Sequence, residues 1–151
     1  MASPIRNASG KRTSSRNPGR RSVLVTGASG GIGRAICRAF AAAGWYVGVH
    51  YHRRKAEAEK TLRAVRVTGG TGGLLQADVR EAESVRLMIE AFLKKAPRPM
   101  AFICNAGVGA SSLVLRQQEE EWMSVVHTNL TGAFHCLQSV APALCAQGGG
   151  S

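Results

Sequence analysis

Aromatic residues, acidic residues and long apolar runs are scarce in this chain of 151 residues. Aromatic side chains make up 5% of the sequence, and 9 acidic groups stand against 20 lysines and arginines, for a net charge of +11. No apolar run reaches the roughly 18 residues of a membrane-spanning helix, which excludes that class of protein. The four cysteines form no C-x-x-C pair. We therefore predict neither a metal site nor a disulfide framework, and expect reduced thiols in a cytoplasmic protein.

The positive charge is concentrated at the beginning of the chain. Residues 1–21 hold six basic side chains and no acid, whereas the other 130 residues hold 14 basic and 9 acidic groups. This segment, rich in Ser, Gly, Pro and Arg, has too little apolar surface to order itself, so we predict a disordered basic arm, with a transit peptide as the alternative. Nucleic-acid binding is not expected, because no aromatic residues are interleaved with the basic ones.

From residue 22 onward, short β-branched runs alternate with longer amphipathic segments. This alternation predicts a parallel sheet of the α/β class with right-handed crossovers. The stretch TGGTGG, residues 68–73, is interpreted as a loop before the third strand. The last helix carries an apolar stripe that we expect to be partly exposed in this chain, made of Trp122, Val126, Leu130, Ala133, Leu137, Val140 and Leu144. The expected strands are 22–26, 45–51, 74–79 and 100–104, and the expected helices cover about 32–44, 55–67, 81–96 and 119–146.

The stretch TGASGGIG, Thr26 to Gly33, joins the first expected strand to the first expected helix. A backbone that approaches a phosphate closely must lack side chains, and a helix N terminus offers N–H groups and the positive end of its dipole to the anion. The glycine spacing is G-x-x-x-G-x-G rather than the common dinucleotide pattern G-x-G-x-x-G. By itself the turn is compatible with a phosphate-binding loop or with a tight structural turn.

Four separate stretches resemble the motifs of the short-chain dehydrogenase/reductase family, in that family's order along the chain. They are TGxxxGIG, Asp78-Val79 at the end of the third expected strand, Cys104-Asn105-Ala106-Gly107 at the end of the fourth, and Asn129 in the last helix. The resemblance covers residues 22–151. Within the family, the stretches HYHRR and NLTGAF resemble in particular those of the 3-oxoacyl-[acyl-carrier-protein] reductases. The resemblance implies a Rossmann fold, that is, a doubly wound parallel sheet, for which we expect the strand order 3-2-1-4. The cofactor-binding residues that it implies are Gly27, Ala28, Ser29, Gly31, Ile32, Gly33, Asp78, Val79, Asn105, Ala106 and Gly107.

Two residues depart from the family pattern. Gly30 stands where these reductases often have an arginine, which weakens one phosphate contact. Cys104 replaces the first asparagine of the family's NNAG motif, while the other three residues of that motif remain.

The residues after the second strand indicate which cofactor to expect. An acidic side chain there would bind a ribose 2′-OH and select NAD, whereas arginine pairs with a 2′-phosphate. The sequence runs His50-Tyr51-His52-Arg53-Arg54-Lys55, with no acid before Glu57. We therefore predict NADP(H), bound through Arg53, with a solvated basic helix start as the alternative.

Of the family's catalytic residues, only Asn129 has a counterpart in this chain. The resemblance implies that this asparagine helps to hold a water near the active lysine, while relief of a kink in a long helix is the structural alternative. The family also uses a serine and a Tyr-x-x-x-Lys pair, whose tyrosine donates a proton to the carbonyl oxygen. The sequence contains one such spacing, Tyr51 to Lys55, but it follows the second strand, at the adenosine end, and we interpret it as coincidence.

We therefore expect residues 22–151 to be the NADP-binding amino-terminal part of a ketoreductase, with the catalytic serine and Tyr-x-x-x-Lys in a part that this sequence lacks. The ending GGGS is interpreted as a point of truncation. The resemblance implies a small or acyl-carrier-bound ketone as substrate and a homo-oligomer formed through helix 119–146. The alternative is a non-catalytic dinucleotide-binding module.

Overall fold

A single four-stranded parallel sheet forms the centre of the part that the computed structural model describes, residues 21–96 and 100–148. Its strands are β1 (Ser22–Val25), β2 (Tyr46–Tyr51), β3 (Thr71–Gln76) and β4 (Met100–Ile103). They lie in the order β3-β2-β1-β4, and Ser22 of β1 faces Tyr46 on one side and Met100 on the other. The predicted α/β class and strand order are confirmed.

Helices cover both faces of the sheet. Alternate residues of β1 point to opposite faces, as the pleat of a strand requires. Val23 and Val25 belong to a buried cluster with residues of the first two helices, whereas Leu24 belongs to a second cluster with residues of the third and fifth. Because the helices cover both faces, a binding site has to lie at an end of the strands, and in open α/β sheets it lies at their carboxyl ends. Among the described residues the α-helices are α1 (Gly31–Ala42), α2 (Lys55–Val67), α3 (Ala82–Leu93), α4 (Glu119–Val126) and α5 (Gly132–Ala146).

The third strand begins earlier than the sequence predicted. Because Thr71–Gln76 pairs with β2, the predicted loop 68–73 and strand 74–79 are wrong in their bounds. A Cβ at Gly72 would lie 2.3 Å from the carbonyl oxygen of Val47 on β2, which is closer than any side chain tolerates. Glycine is required here by the close approach of the neighbouring strand rather than by a turn.

The predicted helix over 119–146 is present but not regular. A π-helical turn at His127–Thr131 joins α4 to α5. A π turn inserts an extra residue into the helical repeat, so positions before and after it no longer share the face that a period of 3.6 residues assigns to them. A stripe counted across this turn is therefore out of phase.

The face that α5 presents to the sheet is made of small residues. An added Cβ at Gly132 would lie 2.8 Å from Cγ2 of Val79, so the helix approaches too closely for larger side chains. The predicted partial exposure of the apolar stripe is confirmed, since its large members Trp122, Leu130 and Leu137 are more than half exposed. Val140 of the same stripe is buried, as are Gly132 and Cys136 of α5.

A glutamine side chain covers the outer edge of β4 at its first residue. Gln147 follows α5, and its Nε2 donates to the carbonyl oxygen of Met100 at 3.1 Å. Its Oε1 accepts the N–H of the same methionine at 3.0 Å. One amide side chain thus makes both hydrogen bonds that a neighbouring strand would make there.

Most of the predicted basic arm, residues 1–20, lies outside the described residues, as do Gly149, Gly150 and Ser151 of the predicted truncation point. Arg21 is described, and its guanidinium lies over the ring of Trp45, 5.6 Å from the centroid. None of the helices in the described ranges is long and apolar enough to cross a membrane.

Candidate functional site

A cleft of about 350 Å³ opens at the carboxyl ends of the strands. Ligands of open α/β sheets bind at this edge, where the strand order reverses, which here is between β1 and β4. The walls come from the turn after β1, the segments after β2, β3 and β4, and helix α4 with its π turn. Of the residues predicted to bind a cofactor, those that line the cleft are Gly27, Ser29, Arg53, Asp78, Val79, Ala106 and Gly107.

Two glycines of the turn after β1 are required by packing. Gly27 has a φ of +64°, in the left-handed region that favours glycine, and its Cβ would lie 2.8 Å from Cα of Ala106. A Cβ at Gly33 would lie 2.6 Å from the carbonyl oxygen of Gly27. These two residues let the start of α1 pack tightly against the ends of β1 and β4.

The glycine that opens α1 leaves free space. A Cβ at Gly31 would meet no atom within 4 Å, and the neighbouring Ile32 is 74% exposed. Gly30 occupies the N-cap position and has no side chain with which to cap the first N–H groups of the helix. Because those groups lack acceptors within the helix, this end of α1 can receive an anion.

A hydrogen-bond network ties the glycine turn to the end of β4. Thr26 Oγ1 donates to the carbonyl oxygen of Ile103 at 3.1 Å and accepts the N–H groups of Asn105 and Ala106 at 2.9 and 3.0 Å. Nδ2 of Asn105 donates to the carbonyl oxygens of Thr26 and Gly27 at 2.8 and 3.3 Å. The asparagine of the predicted cofactor motif therefore supports the turn from behind.

Ala28 has a similar supporting position. It is fully buried, and its N–H donates to the carbonyl oxygen of His50 at 2.9 Å. Its own carbonyl oxygen accepts a hydrogen bond from Thr61 Oγ1 of α2 at 2.8 Å. The predicted residues Ala28, Gly33 and Asn105 thus shape the turn, while Gly31 and Ile32 lie at its open end.

Two arginines give one side of the cleft a positive charge. Arg53 and Arg54 follow β2 and are both exposed. Nη2 of Arg54 is 3.9 Å from the position that a Gly30 Cβ would occupy. A guanidinium from the start of α2 therefore lies beside the position at which related reductases often have arginine in the turn. The sequence prediction named only Arg53, although the basic run contained the signal for its neighbour.

The cleft is also lined by an acidic side chain, Asp78. Asp78 accepts hydrogen bonds from Arg80, whose Nε and Nη2 are 3.0 and 2.5 Å from its two oxygens, and His52 Nε2 is 3.6 Å away. The hydrogen bond from Arg80 lowers the Asp78 pKa to about 2. The carboxylate is therefore ionised at neutral pH and is available as a hydrogen-bond acceptor in the cleft.

Asn129 lies in the π turn and bonds to the loop after β4. Its Oδ1 accepts the N–H of Val108 and its Nδ2 donates to the carbonyl oxygen of the same residue, both at 2.9 Å. Gly107 passes close by, since its Cβ would be 3.3 Å from that Oδ1. In this structure the side chain holds a loop that forms the floor of the cleft.

Neither of the chain's two tyrosines lines the cleft. Tyr51 is only 6% exposed, and its hydroxyl donates to Gln76 Oε1 at 3.5 Å. Tyr46 packs against Phe92, with ring centroids 6.3 Å apart. Of the Tyr-x-x-x-Lys pair, neither Tyr51 nor Lys55 lines the cleft, although the residues between them do.

Sequence reasoning did not identify several other residues of the cleft. Arg80 follows the predicted Asp78-Val79 pair directly and could have been found as its charged neighbour. Ser124 and Thr128 gave no signal, because their position depends on the π turn. His50 begins the run from which the cofactor was predicted, but no role was predicted for it, and the structure buries it beside the glycine turn.

The comparisons with known proteins agree with this arrangement. A family model described as short chain dehydrogenase matches residues 21–151. The chain is 36% identical over 131 residues to the 3-oxoacyl-[acyl-carrier-protein] reductase FabG of Staphylococcus aureus, which covers 87% of this chain and 53% of that protein. It is 36% identical over 114 residues to 3beta-hydroxysteroid dehydrogenase 1 of Eggerthella lenta, covering 76% of this chain and 44% of that one.

A solved structure also resembles this one. A gluconate 5-dehydrogenase from Burkholderia cenocepacia, in complex with NADP and tartrate, superimposes with a TM-score of 0.77 at 30% sequence identity. The match covers 89% of this chain and 52% of that chain. The chain spans about half the length of the relatives that it matches.

Proposed function

Because the chain belongs to the short chain dehydrogenase family, we propose that its cleft binds a nicotinamide dinucleotide and selects NADP(H) over NAD(H). The observation that carries the proposal is the pairing of an open helix N terminus at Gly31 with two arginines after β2. The helix N terminus suits a pyrophosphate, and the arginines suit a 2′-phosphate. An acidic residue at the position of the arginines would instead suit a free ribose 2′-hydroxyl. The similar gluconate 5-dehydrogenase structure contains NADP, which supports the same cofactor class here.

Each part of the cleft has a distinct role in this proposal. The first turn of α1 would hold the pyrophosphate, and Arg53, with Arg54 beside it, would hold the 2′-phosphate. The Asp78-Val79 segment would contact the adenine, and Ala106 and Gly107 would line the path toward the nicotinamide. A bound NADPH would supply hydride for reduction of a ketone.

The proposed reaction of the whole protein is reduction of a ketone, with a 3-oxoacyl thioester as the preferred substrate. The similarity to 3-oxoacyl-[acyl-carrier-protein] reductases supports it. The described residues contribute the cofactor side of such a site, and Asn129 orders the loop after β4. Since both tyrosines lie away from the cleft, we expect no turnover of acetoacetyl thioester with NADPH by this chain alone.

A non-catalytic dinucleotide-binding module is the second candidate. The observation that favours it is the position of the two tyrosines, which leaves the cleft without a phenolic proton donor from the described residues. Both candidates predict cofactor binding. Joining the chain to the carboxyl-terminal half of a related reductase distinguishes the two candidates. Only the reductase candidate predicts that turnover then appears with this chain's cleft intact.

Titration of the chain with NADPH and NADH tests the cofactor preference. A partly exposed, charge-assisted contact contributes about 1.5–3 kcal/mol, so we expect NADPH to bind roughly ten- to a hundredfold more tightly. Arg53→Ala should remove most of this difference by weakening NADPH alone. Arg63→Ala changes an exposed arginine of α2 that does not line the cleft, and is the matched control. Equal affinities of the two cofactors for the unmodified chain would refute the assignment.

We also propose that the outer face of α4 and α5 pairs with a second copy of the chain. Large apolar side chains on one helical unit are exposed together, which is typical of an association surface. Phe134→Glu should shift the chain toward monomer in sedimentation velocity, whereas Leu87→Glu, which changes an exposed apolar residue of α3 outside this face, should not. A chain that is monomeric before substitution would contradict the proposal. The exposed residues are Trp122, Met123, Leu130, Phe134 and Leu137.

A further inference from the structure

The imidazole of His50 bridges two segments that line the cleft. This residue of β2 is only 2% exposed. Its Nδ1 accepts the N–H of Gly27 at 3.0 Å, and its Nε2 lies 3.1 Å from the carbonyl oxygen of Ala77. A backbone N–H can only donate and a carbonyl oxygen can only accept. The two partners therefore require a neutral ring that carries its proton on Nε2.

The backbone of the same histidine holds the next residue of the turn. Its carbonyl oxygen accepts the N–H of Ala28 at 2.9 Å. Two consecutive N–H groups of the glycine turn thus bond to one residue, one through the ring and one through the main chain. Gly27 is the residue with positive φ, so the ring contacts the turn at its most sharply bent point.

We propose that His50 is a positioning residue that holds the glycine turn in its cofactor-binding conformation only while its ring is neutral. The inference rests on the proposed function of the cleft. Protonation would place an N–H on Nδ1 facing the N–H of Gly27, so that one hydrogen bond is lost and two donors oppose each other. A buried charge would be added at the same point. The turn would then have to move away from the ring.

The groups around the His50 ring determine the pH at which the ring becomes protonated. Burial is the largest influence on the His50 pKa and lowers it, and His52 acts in the same direction. The hydrogen bond to Ala77 and the Asp78 carboxylate oppose that shift. The other charged groups of the cleft are Arg53, Arg54 and Arg80, which disfavour a further positive charge, and Arg80 already pairs with Asp78. The ring therefore stays neutral at neutral pH and becomes charged only in acid.

The first arm of the test observes the ring in the protein without cofactor. Long-range ¹H–¹⁵N NMR should report the Nε2–H tautomer at about pH 7.5, well above the ordinary histidine pKa of about 6.5. The amide resonance of Gly27 should titrate together with the His50 ring as the pH falls. A ring protonated on Nδ1, or a Gly27 amide that does not respond when His50 titrates, overturns the proposal.

The second arm measures NADPH affinity from about pH 7.5 down through the pH range in which the first arm finds that the His50 ring titrates. Because only the neutral state binds, the dissociation constant of the unmodified chain should rise about tenfold for each pH unit below the His50 pKa. His50→Asn should bind within a few-fold of the unmodified chain at the higher pH, because its amide can both accept and donate. That variant should lack the additional acid-dependent loss. Titration of the ligand's own phosphate affects both proteins equally and cancels in the comparison.

His127→Asn is the matched control, because it removes an exposed histidine that does not line the cleft and should keep the pH profile of the unmodified chain. Identical profiles for the unmodified chain and His50→Asn overturn the proposal. If no variant binds NADPH at any pH, the proposed function of the cleft fails. The coupling between the His50 ring and the Gly27 amide then decides by itself whether the histidine positions the turn.

Discussion

One added methyl group at Gly33 tests whether packing holds the glycine turn in place. A Cβ at this position would lie 2.6 Å from the carbonyl oxygen of Gly27, and 2.8 Å from both Cα of Ala28 and Nδ2 of Asn105. Two of these three atoms are backbone, so they can move only if the turn moves. Overpacking of this kind costs about 1–3 kcal/mol, and we expect Gly33→Ala to lower the free energy of unfolding by that amount.

The same methyl group at Gly31 should have the opposite effects. No atom lies within 4 Å of its Cβ position, and alanine favours helix over glycine. We expect Gly31→Ala to leave the free energy of unfolding unchanged or to raise it by up to about 1 kcal/mol. Because the methyl group would enter the proposed pyrophosphate position, NADPH affinity should fall about tenfold, which corresponds to about 1.4 kcal/mol.

Urea unfolding followed by tryptophan fluorescence measures the stability of both variants, and an NADPH fluorescence titration measures binding. We expect Gly33→Ala to lose stability, and Gly31→Ala to lose NADPH affinity without losing stability. Equal stability of Gly33→Ala and the unmodified chain would refute the argument from packing. A Gly31→Ala variant that unfolds as easily as Gly33→Ala would refute the argument that this position is open.

Two further predictions concern the cleft walls. Arg80→Ala should raise the Asp78 pKa from about 2 toward its ordinary value of 3.8, as followed by carboxyl ¹³C NMR. Because the Asp78 pKa is lower in the folded state than in the unfolded state, the ionised carboxylate stabilises the folded protein at pH values above the unfolded-state pKa. This contribution is lost as the pH falls toward 2. Without Arg80 the contribution is smaller, so the variant should lose less stability in acid. Asn129→Ala removes both hydrogen bonds to Val108, so we expect faster amide exchange of that residue and a loss of about 0.5–1.5 kcal/mol in unfolding free energy. Unchanged exchange would show that the loop is held by other contacts.

Local pattern was sufficient to predict a parallel sheet with helical crossovers but not the bounds of every element. The β-branched run of β1 and the turn at Gly27 mark a strand and its end wherever they occur, because they reflect properties of single residues. The glycines of β3 carry no such information. Gly72 is a strand residue because Val47 of the neighbouring strand approaches it, and that contact exists only after the sheet has formed.

The same distinction applies to the site. Motif residues such as Gly27 and Asp78 were found because their spacing along the chain is characteristic. Arg54 is placed beside Gly30 by the packing of α2 against the sheet, and Thr128 enters the cleft through the π turn. The bridging role of His50 depends on the distances from its two nitrogens to Gly27 and Ala77, which no one-dimensional pattern contains.

The side-chain clamp of Gln147 on Met100 also decides where another strand can join the sheet. In a parallel sheet the backbone groups of alternate residues point to the same edge, so Met100 and Phe102 share the outer side of β4. The first of these positions is already bonded to the glutamine amide. A strand that extends the sheet must therefore begin pairing at Phe102, or first displace Gln147. The glutamine thus restricts the register in which a further strand can pair with β4. It also blocks part of the β4 edge from pairing with a strand of another molecule, which disfavours edge-to-edge aggregation.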